Sequence, residues 1–287
     1  MADTKVSALS NASALDGTEK VHGVQSTADK AISTLQVGAF TNLNLGRRRF
    51  TKMLPNAGFN TWTGWMGDHW HTASMTFLGA SATGGISSTN IVTRQNNMAF
   101  ITAAGAGSLA YMYPSPTGKL LFIGNGSGVS GFLFGAEFIP NNNISDGRYF
   151  YGLTSSTSAP TNVEPSTLTN CIGVAKLAGS ANLQIVYGGS AAQTPIDLGV
   201  NFPANGSKAN FYRAEFFSDA NDNTKITYRV ERVNTGGIAT GNLTNTTPGT
   251  TLPATTTVLG PTFWLCNNGT ASAMEMDFVS MYCISDN

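Results

Sequence analysis

Charged side chains are scarce in this chain. Asp, Glu, Lys and Arg make up 11% of its 287 residues, whereas about a quarter is usual in soluble domains, and the formal net charge is zero. Sequence-independent affinity for nucleic acids comes from clustered cations, and the one basic cluster here is Arg47, Arg48 and Arg49. We therefore expect no nucleic-acid partner, and we interpret the arginine cluster as a solvated junction or a subunit contact.

Cysteine is also rare, and long apolar runs are missing. The cysteines Cys171, Cys266 and Cys283 are an odd number without Cys-x-x-Cys spacing, which indicates neither a disulfide framework nor a zinc site. Each lies in an apolar stretch, so we expect buried, reduced thiols and no metal or cofactor. The first residues lack the apolar region of a signal peptide, and no run reaches transmembrane length. We expect synthesis in the cytoplasm and no membrane insertion.

Aromatic and other apolar residues are plentiful, which argues against disorder. Hydrophobic residues reach 41% and aromatics 10%. Apolar and polar residues alternate with period two at residues 132–138 and 225–233, as in strands with one buried face. Further strands are predicted at 148–153, 183–187, 212–217, 262–265 and 276–284, separated by Gly, Asn and Asp turns. Past residue 55 no helical periodicity lasts three turns. The pattern predicts an all-β, antiparallel jelly-roll sandwich.

The chain divides into three zones. Residues 1–40 hold a turn at Asp16-Gly17, a strand-like stretch at 19–24 and too little apolar material for a core of their own. We expect this segment to fold against a partner and the chain to form a homotrimer. Residues 41–55 are a linker, one or two helical turns are expected over residues 36–45 where the first zone meets it, and residues 56–287 are the sandwich. Residues 56–127 are either its first strands or a separate collar, and the sequence leaves this open.

The first zone resembles a known kind of attachment segment. The residues are Lys5-Val-Ser-Ala-Leu-Ser-Asn-Ala-Ser-Ala-Leu-Asp-Gly-Thr-Glu19, then Val24-Gln25 and Ser33-Thr-Leu35. They are similar to the N-terminal segment by which many phage tail fibres and spikes attach to the particle. Lys20 and His22 depart from the more apolar strand of those proteins.

A second resemblance covers nearly half of the chain. It is carried by Asp146-Gly-Arg-Tyr-Phe-Tyr-Gly-Leu-Thr, by Ile196-Asp-Leu-Gly199, by Tyr228-Arg-Val-Glu-Arg-Val233, by residues 276–284 and by the opening Asn56-Ala-Gly-Phe-Asn-Thr-Trp62. These stretches resemble the concanavalin-like jelly-roll module of structural proteins from phages, prophages and phage-derived gene transfer agents.

Together the resemblances imply a virion fibre or spike subunit, on the tail or the head, that binds a host-surface saccharide through its sandwich. The implied partners are other virion proteins, such as the capsid, portal, baseplate or a spike-base protein, and host cell-surface polysaccharide. The implied location is the virion surface. The alternative is a decoration or collar protein without a receptor role. We expect no enzymatic activity, although Glu137 and Glu215, on predicted strands, could face one another as a glycosidase pair.

The densest aromatic cluster is the predicted glycan site. Trp62, Trp65 and Trp70 accompany Asp68, His69 and His71, and aromatic faces stack on sugar C–H surfaces while polar groups orient hydroxyls. A core seam or trimer interface is the other interpretation of these rings. Alternation along one strand would place Trp62 and Trp70 on one face and Trp65 on the other.

Two further residues, Asp146 and Tyr149 in the second resembling stretch, complete the predicted glycan site. His69-x-His71 on a threefold axis could bind a metal, but an isolated pair of this spacing is a weak signal and we predict none. Failing the tryptophans, the loops at 141–146 and 219–223 are the next candidates. There Asp146, Asp219 and Asp222 lie in turns that Asx capping explains.

Overall fold

The computed structural model divides the chain into two compact units, residues 1–48 and 49–287. It describes residues 20–25, 28–33, 49–53, 62–66, 69–73, 75–83, 92–93, 97–114, 121–142 and 144–285. Side chains are described for residues 78–80, 92–93, 97–114, 121–141 and 144–285. The predicted turn at Asp16-Gly17 and the predicted helical turns at 36–45 lie outside these ranges.

The described part of the first unit is a hairpin. Strands β1 (Lys20–Gln25) and β2 (Ala28–Ser33) pair antiparallel, with Lys20 opposite Ser33 and Gln25 opposite Ala28. Strand β1 coincides with the strand-like stretch that the sequence predicts at residues 19–24.

The second unit is built from strands. In the ranges given above they are β3 (Arg49–Met53), β4 (Trp62–Met66), β5 (His69–Ala73), β6 (Met75–Leu78), β7 (Ala80–Thr83), β8 (Met98–Ile101), β9 (Leu109–Pro114), β10 (Phe132–Asn142), β11 (Arg148–Thr154), β12 (Cys171–Lys176), β13 (Gln184–Gly188), β14 (Ile196–Asp197), β15 (Gly206–Ser207), β16 (Tyr212–Ser218), β17 (Lys225–Arg232), β18 (Gly237–Thr244), β19 (Gly260–Cys266) and β20 (Glu275–Ser285). A 3-10 turn at Pro165–Thr167 is the one helical element of the described residues, and none of them forms a helix able to cross a membrane.

Two antiparallel sheets form the sandwich. The nine-stranded sheet has the order β18-β17-β16-β10-β20-β8-β7, with β15 also paired to β10 and β3 to β20. The seven-stranded sheet has the order β14-β13-β12-β11-β19-β9-β6. The prediction of an all-β antiparallel jelly-roll sandwich is confirmed. Strands β6 to β9 belong to these same two sheets. They lie within residues 56–127, for which the sequence left open the choice between first strands and a separate collar.

The core lies between the sheets, where period-two alternation places apolar side chains. On β10 Phe134 and Phe138 are fully buried on the inner face, whereas Glu137 lies on the outer face. Tyr151 of the seven-stranded sheet stacks between Phe138, with ring centroids 5.1 Å apart, and Phe278, at 5.6 Å. Burying such rings supplies most of the stabilisation that holds two sheets together.

A bulge interrupts the pairing of β10 with β20. Glu137 lies opposite Ser280 and the next residue, Phe138, opposite Phe278, so Val279 is an extra residue on β20. Val279 packs on the outer side of the sheet with Ile139 and other buried apolar residues. The outer face is therefore covered on one side of the bulge. On the other side it carries polar side chains.

Candidate functional site

The outer faces of the two sheets differ in character. On the seven-stranded sheet the outer face holds a buried apolar cluster that includes Phe150, Trp264 and the thiols Cys171 and Cys266. These two cysteines are free and buried, as the sequence predicts, whereas Cys283, also predicted to be buried, is free and half-buried. On the nine-stranded sheet the outer face carries charged and hydroxyl side chains from β10, β16, β17 and β20. This second face is the candidate functional site.

Seven of these side chains form one connected network, here called the polar circuit. It runs through Ser280, Glu137, Arg213, Glu231, Arg229, Glu215 and Tyr282, and it begins and ends on β20. Three of the six glutamates of the chain take part. In a chain so poor in charge, five charged side chains on neighbouring positions of one sheet are a marked concentration.

The first half of the polar circuit centres on Glu137. Its Oε2 accepts a hydrogen bond from Ser280 Oγ at 2.6 Å, and its Oε1 accepts one from Arg213 Nε at 2.8 Å. Arg213 Nη2 also lies 2.7 Å from that Oε1, so the guanidinium engages it with two nitrogens. Arg213 Nη1 lies 3.9 Å from Glu231 Oε2. Both carboxylate oxygens of Glu137 are held, one from each neighbouring strand.

The second half centres on Glu215. Arg229 donates from Nη2 to Glu231 Oε2 at 2.7 Å and from Nη1 to Glu215 Oε2 at 3.2 Å. The Tyr282 hydroxyl donates to Glu215 Oε1. Burial raises the pKa of Tyr282, and this hydrogen bond raises it further, so the hydroxyl stays protonated at neutral pH. Glu215 is thus held from β17 on one side and from β20 on the other.

The polar circuit combines fixed geometry with access. The Arg213 and Arg229 side chains are 38% and 35% exposed, so solvent and a ligand can reach them. Carboxylates accept hydrogen bonds from hydroxyl groups, and guanidinium groups donate to them. Side chains that are already held in place lose little freedom when a ligand binds. The arrangement is suited to a ligand rich in hydroxyl groups.

Glu137 and Glu215 were considered as a possible glycosidase pair. They lie on the adjacent strands β10 and β16 and share the outer face. Each carboxylate is bonded to an arginine of its own, Arg213 for Glu137 and Arg229 for Glu215. The geometry therefore places both glutamates in the polar circuit as partners of the guanidinium groups.

The tryptophan cluster lies on a hairpin of strands β4 and β5. Trp65 lies opposite Trp70, and Trp62 lies opposite Ala73. Positions 65 and 70 therefore share one face of the hairpin, and position 62 belongs to the other. The predicted grouping of Trp62 with Trp70 is wrong, because it assumed one continuous strand and the chain reverses between residues 66 and 69.

Of the remaining residues of the cluster, the structure gives strand positions for the two histidines only. His71 lies opposite Gly64 and His69 opposite Met66, which puts both histidines on the face of position 62. Asp68 and the side chains of this hairpin lie outside the described residues. Where side chains are described, no group of three His, Cys, Asp or Glu residues could hold a metal ion.

Tyr149 is a core residue. It is fully buried, and its hydroxyl donates to the carbonyl oxygen of Ala204 at 2.8 Å. Burial raises its pKa well above the usual value. A ring inside the sandwich has no face on which a sugar could stack, so Tyr149 does not belong to a saccharide site. Its inward position follows from the alternation of β11, where Tyr151 is also buried.

Asp146 lies between β10 and β11, at one end of the sandwich. Its Oδ1 accepts a hydrogen bond from Thr270 Oγ1 at 2.6 Å, and the residue is half-buried. Thr270 belongs to the connection between β19 and β20. Asp146 thus joins two end loops, and the structure does not bring it to the polar circuit.

The same end contains a buried cation that sequence reasoning missed. Lys176 is fully buried, and its Nζ donates to the carbonyl oxygens of Ser145 at 2.8 Å, of Leu177 at 3.2 Å and of Gly147. These bonds tie the connection after β12 to the connection before β11. Because the acceptors are backbone atoms, no pattern of side chains in the sequence indicates them.

The loop at 219–223 forms Asx turns. Asp219 Oδ1 accepts from the backbone N–H of Asn221 at 2.9 Å, and Asp222 Oδ1 accepts from that of Thr224 at 2.8 Å. The hydrogen bonds from Thr224, with that from Lys225, lower the pKa of Asp222 to about 2. The predicted capping role of Asp219 and Asp222 is confirmed, and their carboxylates serve the turn itself.

Sequence reasoning identified only part of the polar circuit. Alternation along β17 places Arg229 and Glu231 on the polar face of a strand, and the sequence offers Glu137 and Glu215 only as a possible glycosidase pair. Arg213, Ser280 and Tyr282 were missed. The pairing of Arg213 with Glu137 joins residues 76 positions apart, and strand register at that separation is not readable from a local pattern.

Comparison with solved structures identifies a lectin-like protein that has the same fold as the sandwich. Arcelin-5, a lectin-like defense protein from Phaseolus vulgaris, matches with a TM-score of 0.52 and 9% identity over 84% of this chain and 99% of its own. This likeness shows that the two proteins share a fold. No protein-family model matches the chain, and no curated protein sequence matches it.

Two further structures have lower TM-scores. A protein of unknown function from Shewanella oneidensis MR-1 has a TM-score of 0.48 and 10% identity, covering 90% of this chain and 96% of its own. The winged bean acidic lectin, solved with methyl-α-D-galactose, has a TM-score of 0.49 and 9% identity, covering 83% and 98%.

Proposed function

We propose that this chain is a saccharide-binding subunit of a phage or phage-like particle. The sandwich has the lectin-like fold of arcelin-5, and the polar circuit offers fixed donors and acceptors on an accessible face. The proposed ligand is a saccharide of a host-cell surface, and the proposed binding site is the outer face of the nine-stranded sheet. The tryptophan hairpin is a second proposed contact surface.

The polar circuit is the observation that carries the proposal. Each ion pair on the solvent face of a sheet contributes only about 0–1 kcal/mol to stability. Stability is therefore a weak reason for five charged side chains to lie together here. Guanidinium and carboxylate groups are planar, and each can form two parallel hydrogen bonds. This geometry matches the pairs of hydroxyl groups on a sugar. Both arginines are held at a carboxylate and remain reachable.

The attachment part of the proposal rests on the resemblance of the first zone to phage attachment segments. Residues 1–40 would join the protein to other virion proteins, and a homotrimer would present three sandwiches at the particle surface. We place the protein on the virion, after synthesis in the host cytoplasm. We propose that it binds its receptor without cleaving it, with the two candidate glutamates acting as partners of the arginines.

The function is tested by binding of the full-length protein to a microarray of bacterial surface polysaccharides and defined oligosaccharides. The variants Arg213→Ala and Arg229→Ala should each lose about tenfold or more in affinity. Arg232→Ala is the matched control, because Arg232 lies on β17 but donates to Asn210 Oδ1 and the Asn201 carbonyl, away from the circuit. Folded wild-type protein that binds no saccharide would contradict the function and favour a decoration protein.

A further inference from the structure

An exposed aromatic ring lies beside the polar circuit. Phe217 on β16 is 42% exposed, whereas its neighbour Phe216 is fully buried in the core. Full burial of a phenylalanine side chain is worth about 1.5–3 kcal/mol, and Phe217 forgoes much of that stabilisation. A large ring left in solvent beside fixed polar groups combines the aromatic and polar contacts that ligand sites use.

The strand register places Phe217 in a row of apolar residues that runs across the sheet, next to the row of charged residues of the polar circuit. It lies opposite Leu133 of β10, and Leu133 lies opposite the buried Ile284 of β20. Glu215 precedes Phe217 by two residues on the same strand and face, a spacing of about 7 Å along a strand. A ligand of the size of one sugar ring can therefore cover Phe217 and reach the carboxylate of Glu215.

A second polar pair borders the ring on its other side. Phe217 lies opposite Thr227 of β17, and Thr227 lies opposite Asn242 of β18. Thr227 Oγ1 donates to Asn242 Oδ1 at 2.9 Å, which fixes the orientation of an exposed amide at the sheet surface. The ring thus has oriented hydrogen-bonding groups on two sides.

We propose that Phe217 is the stacking platform of the saccharide site and that the sugar on it is an uncharged hexopyranose. This inference rests on the proposed saccharide-binding function. The C–H face of a pyranose carries weak positive charge and is attracted to the negative face of an aromatic ring. When the sugar stacks on the Phe217 side chain, its hydroxyl groups point to Glu215 and Arg229 on one side and to Asn242 on the other.

The charge of the site selects against acidic sugars. The polar circuit contains three carboxylates and two guanidinium groups, a net charge of −1 when all are ionised. Both guanidinium groups are already paired with carboxylates. Lys225, on the same face of β17, is likewise paired, with Asp222. A uronate or sialate would bring a further negative charge to a face whose described cations already have carboxylate partners, which disfavours its binding.

The experiment compares full-length wild type, Phe217→Ala, Phe217→Trp and Val200→Ala on a microarray of neutral hexose oligosaccharides and acidic ones that contain uronic or sialic acid. Val200, 84% exposed, is the matched apolar control in a loop. We expect wild type and Val200→Ala to bind neutral sugars, Phe217→Ala to lose about tenfold or more, and Phe217→Trp to retain binding. The midpoint of thermal unfolding should be nearly the same in all four.

The outcomes separate this inference from the proposed function. If wild type binds no saccharide, the function itself fails. If wild type binds and Phe217→Ala binds equally well, the platform is wrong and the function stands. Preference for acidic sugars would overturn the ligand class. Unchanged sugar binding together with a smaller oligomer for Phe217→Ala in light scattering would assign the ring to a subunit contact instead.

Discussion

The ring of Tyr282 lies across Gly135, the residue opposite it on β10, and its hydroxyl bonds to Glu215 on the far side of that strand. A tyrosine on β20 can reach β16 only because position 135 has no side chain. Glycine inside a strand usually weakens it. Here it gives the aromatic ring the space through which the polar circuit closes.

Gly135→Ala should open the polar circuit. A methyl group at this position would overlap the Tyr282 ring, so the ring must move and release Glu215. Overpacking of this kind costs about 1–3 kcal/mol, and saccharide binding should fall with it. Urea unfolding and binding assays measure both effects. Gly105→Ala, at an uncrowded turn position, should stay within about 0.5 kcal/mol of wild type. Unchanged binding by Gly135→Ala would show that Tyr282 is dispensable.

Lys176 should make stability depend on pH in the alkaline range. Burial lowers its pKa from 10.5 to about 8, against the opposing effects of Asp146 and Glu164. Between these pH values the unfolded chain binds more protons than the folded one, so stability rises with pH by linkage, on the order of 3 kcal/mol in all.

Comparison with Lys176→Met isolates this contribution, because ionisation of the thiols is common to both proteins. The unfolding free energy of wild type minus that of the variant should grow between about pH 8 and about pH 10.5. Lys225→Met, which removes an exposed lysine and its ion pair with Asp222, is the control for the loss of a surface lysine. A difference that is constant across this range would mean that Lys176 is not desolvated in solution.

The tryptophan hairpin should respond to substitution in two classes. Positions 65 and 70 share a face, so Trp65→Ala and Trp70→Ala should act alike and Trp62→Ala differently. We expect one class to lose about 3–5 kcal/mol of stability, as core aromatics do, and the other to lose saccharide binding at nearly constant stability. Destabilisation by all three substitutions would remove this hairpin from the binding surface.

Residues 1–40 should be required for incorporation into particles. The segment resembles phage attachment segments, and the structure places the boundary of the first compact unit at residue 48. A chain without residues 1–40 should be missing from purified particles, whereas full-length Arg213→Ala should be present at normal copy number. Quantitative immunoblotting of particles measures both. Normal incorporation of the shortened chain would refute the attachment role.

The full-length protein should be a homotrimer. The first zone has too few apolar residues to bury a core alone, and closed symmetric assembly supplies the missing surface. Light scattering should give about three times the monomer mass, and a stable monomer would contradict the assignment. The chain without residues 1–40 is the comparison that shows whether this zone drives assembly.

Local sequence patterns predicted the sandwich well, but they predicted the polar circuit only in part. Phe134 and Phe138 were identified as one face of a strand because period-two alternation reports burial directly. The polar circuit depends on register between strands far apart in sequence, as in the bond between Glu137 and Arg213, and register is a property of the folded sheet. Lys176 was missed because the groups that partly offset the cost of burying its charge are backbone carbonyls, which every sequence contains.

The position of β20 has a consequence for biosynthesis. This strand lies inside the nine-stranded sheet and pairs with β10, β8 and β3, where Met281 meets Met53 and Ser285 meets Arg49. The sheet therefore cannot close until residue 285 has left the ribosome, and until then β3, β8 and β10 each present an unpaired edge to solvent. Contacts between residues so distant in sequence form slowly, and exposed strand edges invite aggregation. Yield should consequently depend on growth temperature and on chaperone capacity more than on the stability of the finished protein.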